Sequence, residues 1–505
     1  MHTRTGRTRI ADLLEDRARL FAGSDAYVDA ATGDTLSWSS LEAMGLRWRE
    51  LAADLQLPSR SRVGLVITNP LAFSGAYIAC LAAGLSAVPI DPRLPGAQVL
   101  ATSARLRVDV IATDRVDLIE GDAPHPVLRI GVRDVRLVRG RRASAWPSGG
   151  AALRPAAVLA SSGTSGAPKV VPLEEWQLIA AASRIARHHH LGRGDRGYTP
   201  LPLFHVNAQV VGLLSALVSG STLVVDTKFH ASDYWNRVAE WRPTWLNTVP
   251  AMLATLTELA PPAEALARSL RFARSASAPL RVDIESRFER LTGVGVLQTY
   301  GMTEVASQLT ANPLDELARR RGSVGLPVGV EISVRDRFGG LVATGTPGMV
   351  HVRGAGVISS YLVVSDVTAE RTRPARDANG WLPTGDVGWL ADDGFLHLLG
   401  RVDDVINRGG EKLYPAEIER MLVTNPNVAA AIVVGMEHER LGQVPVAFVV
   451  RRTANAMRDD DLAHACASAL PPYKRPASIR RLHALPIGPT GKPLRKLAAL
   501  EAAAA

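Results

Sequence analysis

The sequence predicts an α/β and α+β protein in three pieces. These are a large N-terminal domain of helix-covered sheets, a small antiparallel or β-barrel-like subdomain, and a small α+β C-terminal domain. Three observations predict it. Strand-like runs alternate with helix-length apolar runs through the first part of the chain; after about residue 325 the pattern turns to polar–apolar alternation with tight turns; after Gly400 it resets once more. A chain of 505 residues has room for three or four lobes at roughly 100–200 residues each.

The elements follow in order. Val63–Ile67 is a β-branched run, Phe73–Ala83 is apolar at helix length, and Ala87–Ile90 is strand-like before Asp91-Pro92 stops it. That β-α-β rhythm argues for a largely parallel sheet. Ala157–Ala160 reads as a strand running into a Gly/Ser/Thr-rich loop, and Thr222–Val225 and Trp245–Val249 as further strands. Glu331–Arg335 and Met349–Arg353 form one predicted antiparallel pair, and Gly388–Leu390 and Phe395–Leu398 flank Asp392-Asp393-Gly394 as a second. Pro415 opens a helix over Ala416–Val423 with Glu417 and Glu419 in its first turn. Ala429–Val434 and Val446–Val450 are strands, and a helix runs from Asp459–Asp461 to about Leu470. The domain boundary falls within Arg401–Asp404, giving domains 1–402 and 403–505.

Composition excludes several classes. With 47% apolar and 21% charged residues the chain is globular, not disordered. Cys80 and Cys466 cannot form a disulfide scaffold, and neither sits in a CxxC pair. The Arg-rich Met1–Arg19 stretch is followed by no apolar run, so no secretory signal is predicted. The longest nearly apolar runs, Tyr77–Ile90 and Val210–Val225, fall short of the ~20 residues of a membrane span. A cytoplasmic location is expected. The net charge of +9 is scattered and lacks an aromatic platform, so nucleic-acid binding is not predicted. His188-His189-His190 end a predicted helix, where cations suit the dipole, and no further zinc ligands lie at fitting spacing. Positive charge is carried by 52 arginines and only six lysines, so a lysine here is weighted toward a role that needs an ammonium.

The strongest local signal is Ser161-Ser162-Gly163-Thr164-Ser165-Gly166-Ala167-Pro168-Lys169. Its glycines allow close backbone approach to an anion, its hydroxyls donate, and Lys169 adds charge, although the spacing is not that of a Walker A loop. Further segments follow in order: Pro202–His205, Ser275–Leu280, Tyr300-Gly301-Met302-Thr303-Glu304, Thr384-Gly385-Asp386, Gly400–Asp404, Gly409-Gly410-Glu411-Lys412 with Pro415–Glu419, and Pro489-Thr490-Gly491-Lys492. Together they resemble the adenylate-forming superfamily of acyl- and aryl-CoA synthetases, peptide-synthetase adenylation domains and luciferase, over essentially the whole chain. Departures include Ala160 where an aromatic residue is common, Met349 for Glu, Ser360 for Gly and Lys412 for Asn.

The resemblance implies a carboxylic acid–CoA ligase using ATP, Mg²⁺ and coenzyme A. A carboxylate attacks the α-phosphorus of ATP, pyrophosphate leaves, and a thiol then displaces AMP. Bringing two anions together demands concentrated positive charge. By resemblance Lys492 bridges the acyl carboxylate and α-phosphate, Thr303 binds phosphate oxygens, Glu304 holds Mg²⁺, and the Ser161–Lys169 loop cradles the β- and γ-phosphates. Tyr300 stacks on adenine with Ser277, Ala278 and Pro279 opposite, while Asp386 and Arg401 take the ribose. The C-terminal domain is mobile about a hinge at Asp403, Gly409 and Gly410 admit the pantetheine arm, and Lys474 and Arg475 are candidates for the CoA phosphates. His205 gates the acyl or thiol entry or walls the pocket, with a catalytic base role the weaker option. His205, Val206, Asn207, Thr248, Val249, Ala276 and Met302 are expected to line an apolar acyl pocket with one polar contact at Asn207. Amino-acid activation is disfavoured because Phe204–Gly212 lacks a carboxylate for an α-ammonium. Two alternatives stay open: loading of a carrier protein's phosphopantetheine, and a homologue competent in one half-reaction.

Overall fold

The computed structural model describes residues 8–121, 125–139, 155–161, 169–259, 270–363, 371–452, 459–486 and 495. Two nine-stranded sheets form the larger part. In the first, the strands Val296–Met302, Phe272–Ser275, Trp245–Thr248, Arg196–Thr199, Thr222–Val225 and Asp25–Asp29 lie side by side and parallel. In the second, Ala157–Ser161, Ser86–Pro89, Arg62–Val66, Val110–Thr113 and Val127–Ile130 are parallel, and Lys169–Leu173 and Ser360–Val363 extend it antiparallel.

The helix Pro70–Ala82 lies between the two sheets, touching Asp25–Asp29 of one and Arg62–Val66 and Ser86–Pro89 of the other. Its location accounts for its sequence. All of its residues are buried, so it carries no polar face, and the apolar run Tyr77–Ile90 divides into the second half of this inter-sheet helix and the buried strand Ser86–Pro89. Asn69 caps it by accepting from the Ala72 amide at 2.8 Å, and Pro70 occupies the first position, where no backbone hydrogen is needed.

The antiparallel expectation after residue 325 is met by a four-stranded sheet, Glu331–Arg335, Gly348–Arg353, Leu382–Leu390 and Leu396–Arg401. Beyond it, Ile406–Arg408, Glu411–Leu413, Val428–His438, Gly442–Arg451 and Ser478–Leu482 form a five-stranded sheet with the helices Pro415–Leu422 and Asp459–Ala469. Its core, including Ile406, Leu413, Ile418, Val433, Val449, Leu462 and Cys466, is separate from that of the two large sheets. The Val428–His438 hairpin strands are longer than the sequence predicts, because Gly435–His438 pairs onward with Gly442–Pro445 although that segment is not uniformly apolar. Among the described residues, no helix is long and apolar enough to cross a membrane.

Candidate active site

The parallel strands Arg196–Thr199, Trp245–Thr248, Phe272–Ser275 and Val296–Met302 all end on one rim, the edge of an α/β sheet where ligands bind. The segments that follow them hold most of the candidate residues: Pro202–Asn207, Val249, Ala276–Pro279 and Thr303-Glu304.

Tyr300-Gly301-Met302-Thr303-Glu304 closes the last of these strands. A β-bulge between Tyr300 and Gly301 turns the chain toward Ser307–Ala311, and a Cβ on residue 301 would lie 1.7 Å from the Ser307 carbonyl oxygen. Only glycine fits there. Ala306 and Ser307 continue with φ of 55° and 100°, left-handed backbone that non-glycine residues seldom adopt. The outcome is a 3-10 turn, Thr303–Val305, that presents Glu304 at 5% exposure.

Side chains from the two nine-stranded sheets and the four-stranded sheet make contact along Tyr300–Glu304. From the first come Tyr300 and Glu304. From the second comes Tyr361, whose hydroxyl donates to Glu304 Oε1 at 3.0 Å, with Lys169 Nζ 5.2 Å from the centre of its ring. From the four-stranded sheet come Asp386 and Arg401, which face each other in the register of adjacent strands. Arg401 Nη1 donates to Asp386 Oδ1 at 2.9 Å, and the Tyr300 hydroxyl donates to Asp386 Oδ2. Burial first, and then the charge of Asp386, push the Tyr300 phenol well above its ordinary range, so its hydroxyl remains a donor. Gly385, at φ 76°, lets the Arg401 guanidinium lie against the backbone, since a Cβ there would sit 2.7 Å from Nη2. Ser277 is exposed and held at φ 75°, a strained conformation on the loop that follows Phe272–Ser275.

The acyl-side candidates divide. Val206, Val249 and Met302 are partly buried against the main core, and Ala276 is 5% exposed. Thr248 is corrected: it is fully buried and its hydroxyl donates to the Arg274 carbonyl at 2.8 Å, so it ties two strands together and does not face an open pocket. His205 lies 4.4 Å, ring to ring, from Phe204, on whose face the Arg93 guanidinium stands at 5.2 Å. Asn207 opens a π-helix, Asn207–Leu214, a wound form that concentrates at functional sites. The polar group expected among these apolar side chains, Asn207, is backed by a charge. Behind Asn207 stands Arg274, 2% exposed, donating to Asn207 Oδ1 at 3.1 Å and to Asn247 Oδ1 at 2.9 Å. Sequence reasoning missed Arg274, Asn247 and the role of Tyr361. An available signal was an arginine inside Phe272–Ser275, because a central strand of a parallel sheet is buried on both faces and reads apolar.

In the C-terminal part, Gly409 and Gly410 have φ of 58° and 94° and make the two-residue turn joining Ile406–Arg408 to Glu411–Leu413. Lys474 is held by Glu417 at 2.6 Å, and Arg475 donates to the Leu470 and Ala467 carbonyls at a helix end. Asp403 is exposed on the 3-10 turn Val402–Asp404. Arg495 spans the tail and this turn, with Nε 3.2 Å from Asp404 Oδ2 and Nη2 3.0 Å from Glu419 Oε2. Ser162, Gly163, Thr164, Ser165, Gly166 and Lys492 lie outside the described residues.

An α/β domain with a carboxylate–arginine–tyrosine cluster at its strand ends, followed by a small α+β domain, defines a nucleotide-binding enzyme architecture. The chain belongs to the AMP-binding enzyme family: residues 14–362 match its main domain, and residues 417–492 match the AMP-binding enzyme C-terminal domain. It is 39% identical over 338 residues to a sulfoacetate–CoA ligase of Cupriavidus necator, a stretch covering 67% of this chain and 65% of that protein. It is 28% identical to the long-chain-fatty-acid–CoA ligase FadD13 of Mycobacterium tuberculosis, over 96% of both chains. Among solved structures, the o-succinylbenzoate CoA synthetase of Bacillus subtilis in complex with its acyl-adenylate intermediate matches with a TM-score of 0.80 and 28% identity, over 96% of this chain and 97% of that one.

Proposed function

We propose that the protein is an AMP-forming carboxylic acid–CoA ligase, converting an acid to its acyl-adenylate and then to its CoA thioester. The observation that carries this reading is that side chains of three sheets reach the Tyr300–Glu304 segment, where Tyr300, Asp386 and Arg401 form one polar cluster and Glu304, Tyr361 and Lys169 another. Relatives named as CoA ligases favour coenzyme A as the thiol acceptor.

Each residue then has a task. Asp386 and Arg401 accept and orient the ribose, and the Tyr300 ring stacks on adenine against Ser277, Ala278 and Pro279. Thr303, Lys169 and the Ser161–Gly166 loop receive the phosphates, and Lys492 bridges the two reacting anions. The donor set fits Mg²⁺, which takes few protein carboxylates and completes its shell with phosphate oxygens and water. One buried carboxylate, Glu304, suffices. The bound cation supplies charge neutralisation on the phosphates. The domains are 1–402 and 403–505. Turning about Asp403 withdraws Lys492 and presents the Gly409-Gly410 turn and the Lys474 region to coenzyme A.

The test is pyrophosphate release with ATP, Mg²⁺ and a panel of carboxylic acids, with and without CoA. Acid-dependent release followed by CoA-dependent AMP and thioester formation is expected. No release with any acid overturns the reading.

A further inference from the structure

Arg274 is a buried cation without a counter-ion among the described residues. It lies at the carboxyl end of Phe272–Ser275, 2% exposed, and among the described residues no carboxylate pairs with it and its Nε has no partner. The titratable neighbours on the adjoining helix end, His188 and His189, add no negative charge; burial, followed by nearby positive groups that include Arg274, holds both below the ordinary histidine range. Burial lowers Arg274 itself to about 9, which leaves it charged at neutral pH. An isolated buried charge is costly, so a fold that retains one has an anion to set against it in some state.

The neighbouring amides show where that anion belongs. A guanidinium only donates, so Asn207 and Asn247 must both turn their Oδ1 atoms toward Arg274. Asn247 Nδ2 then donates to Thr199 Oγ1 and to Asn207 Oδ1, each at 3.3 Å. With its oxygen doubly engaged, Asn207 directs Nδ2 away from Arg274. That atom has no acceptor among the described residues, and Asn207 is half-buried at the head of the π-helix that follows the Pro202–His205 gate. Its amide donor is polarised by the charge behind it, and Asn207 belongs to the Pro202–Asn207 segment that follows the strand Arg196–Thr199 on the rim of the sheet.

We propose that Arg274, acting through Asn207, selects short acids that carry a second anionic oxygen group, a carboxylate or sulfonate, beyond the carboxylate that reacts. Arg274 is a positioning residue and Asn207 makes the contact. The inference rests on the ligase reading and deepens it. A charged group here rejects a methyl terminus because the buried donors would be left unpaired.

The experiment measures pyrophosphate release with two- to four-carbon dicarboxylates and sulfonocarboxylates against monocarboxylates of equal length, for the wild type and the Arg274→Met, Arg274→Lys and Asn207→Leu variants. The wild type is expected to favour the second-anion acids by at least about 100-fold in kcat/KM. In Arg274→Met that ratio falls at least about 30-fold, through the KM of the acid and not that of ATP, and Arg274→Lys recovers part of it. Asn207→Leu, a half-exposed position, carries the same expectation if Arg274→Met does not fold. A wild-type preference for monocarboxylates, or a ratio that stays within about threefold in the variants, overturns the proposal and leaves the ligase reading standing. No release from any acid overturns both.

Discussion

Asp386 and Arg401 sit opposite each other across two antiparallel strands, 2.9 Å apart at their charged ends, and Tyr300 from a different sheet donates its hydroxyl to the same carboxylate. The cluster therefore fixes the Tyr300 ring and the Asp386 carboxylate, proposed above to take adenine and ribose, as one unit. Tyr300→Phe keeps the ring and removes that link. The expected result is a several-fold rise in the KM for ATP, an acid KM that moves less, and about 1 kcal/mol of lost stability. Initial rates over an ATP–acid grid, with thermal melts alongside, check it; an unchanged ATP KM contradicts the assignment.

Gly301→Ala tests the bulge. The new methyl would meet the Ser307 carbonyl oxygen, which is backbone and cannot swing aside. Strands Val296–Met302 and Ser307–Ala311 must part to accept it, at a cost of at least about 3 kcal/mol, and the Thr303–Val305 turn shifts with them. Denaturant unfolding should show the loss. A variant as stable as the wild type would mean that the turn is not built as described.

Most of the fold was legible because periodicity was strong where burial is one-sided or complete, as in Arg62–Val66, Phe73–Ala82 and Glu331–Arg335. The ATP-side candidates were legible as ordered segments, and the structure joins Tyr300, Asp386 and Arg401 by hydrogen bonds and sets Glu304 against Tyr361. What escaped depends on contacts between distant segments. Tyr361 reaches Glu304 across 57 positions of chain, and nothing local distinguishes it from any strand tyrosine. Thr248 looked like a pocket residue because it closes a strand at the ligand-binding rim, yet its hydroxyl is spent inside the sheet. Lys474 is a candidate for the CoA phosphates, and its ion pair with Glu417, 57 positions away, is not visible in the sequence.

Glu304→Gln tests the metal role. The amide still fills the buried site and still accepts from Tyr361, so the fold should hold, while the charge that attracts a hard cation is gone. Half-saturating Mg²⁺ should rise by about tenfold and kcat should drop by at least a comparable factor. Titrating Mg²⁺ at fixed ATP reads both. A normal Mg²⁺ requirement would transfer the role to another group.

Arg495 joins the tail to the Val402–Asp404 turn three residues after Lys492, through Asp404 and Glu419. Arg495→Met should loosen the anchorage of the lysine segment. Adenylation is expected to slow by about tenfold, with less effect on thioester formation from supplied acyl-adenylate, the same split predicted more severely for Lys492→Ala. Equal losses in both half-reactions would assign Arg495 to folding alone.

Glu285 gives a pH prediction away from the reaction. It is 3% exposed on the helix Val282–Thr292 and its Oε2 has no partner among the described residues. Burial, then the charge of Glu289, push it up from 4.5 to about 7, with Arg321 and Arg319 pulling the other way. The folded state thus holds this proton more tightly than the unfolded state. Its contribution is fully present below pH 4.5 and is lost as the pH rises to about 7, a change on the order of 3 kcal/mol. Glu285→Gln keeps the shape and removes the titration. The variant should therefore be more stable than the wild type at pH 8, and its advantage should shrink as the pH falls toward 5. Urea midpoints across that range measure it, and a constant difference between the two proteins would show that Glu285 is ionised in the fold throughout.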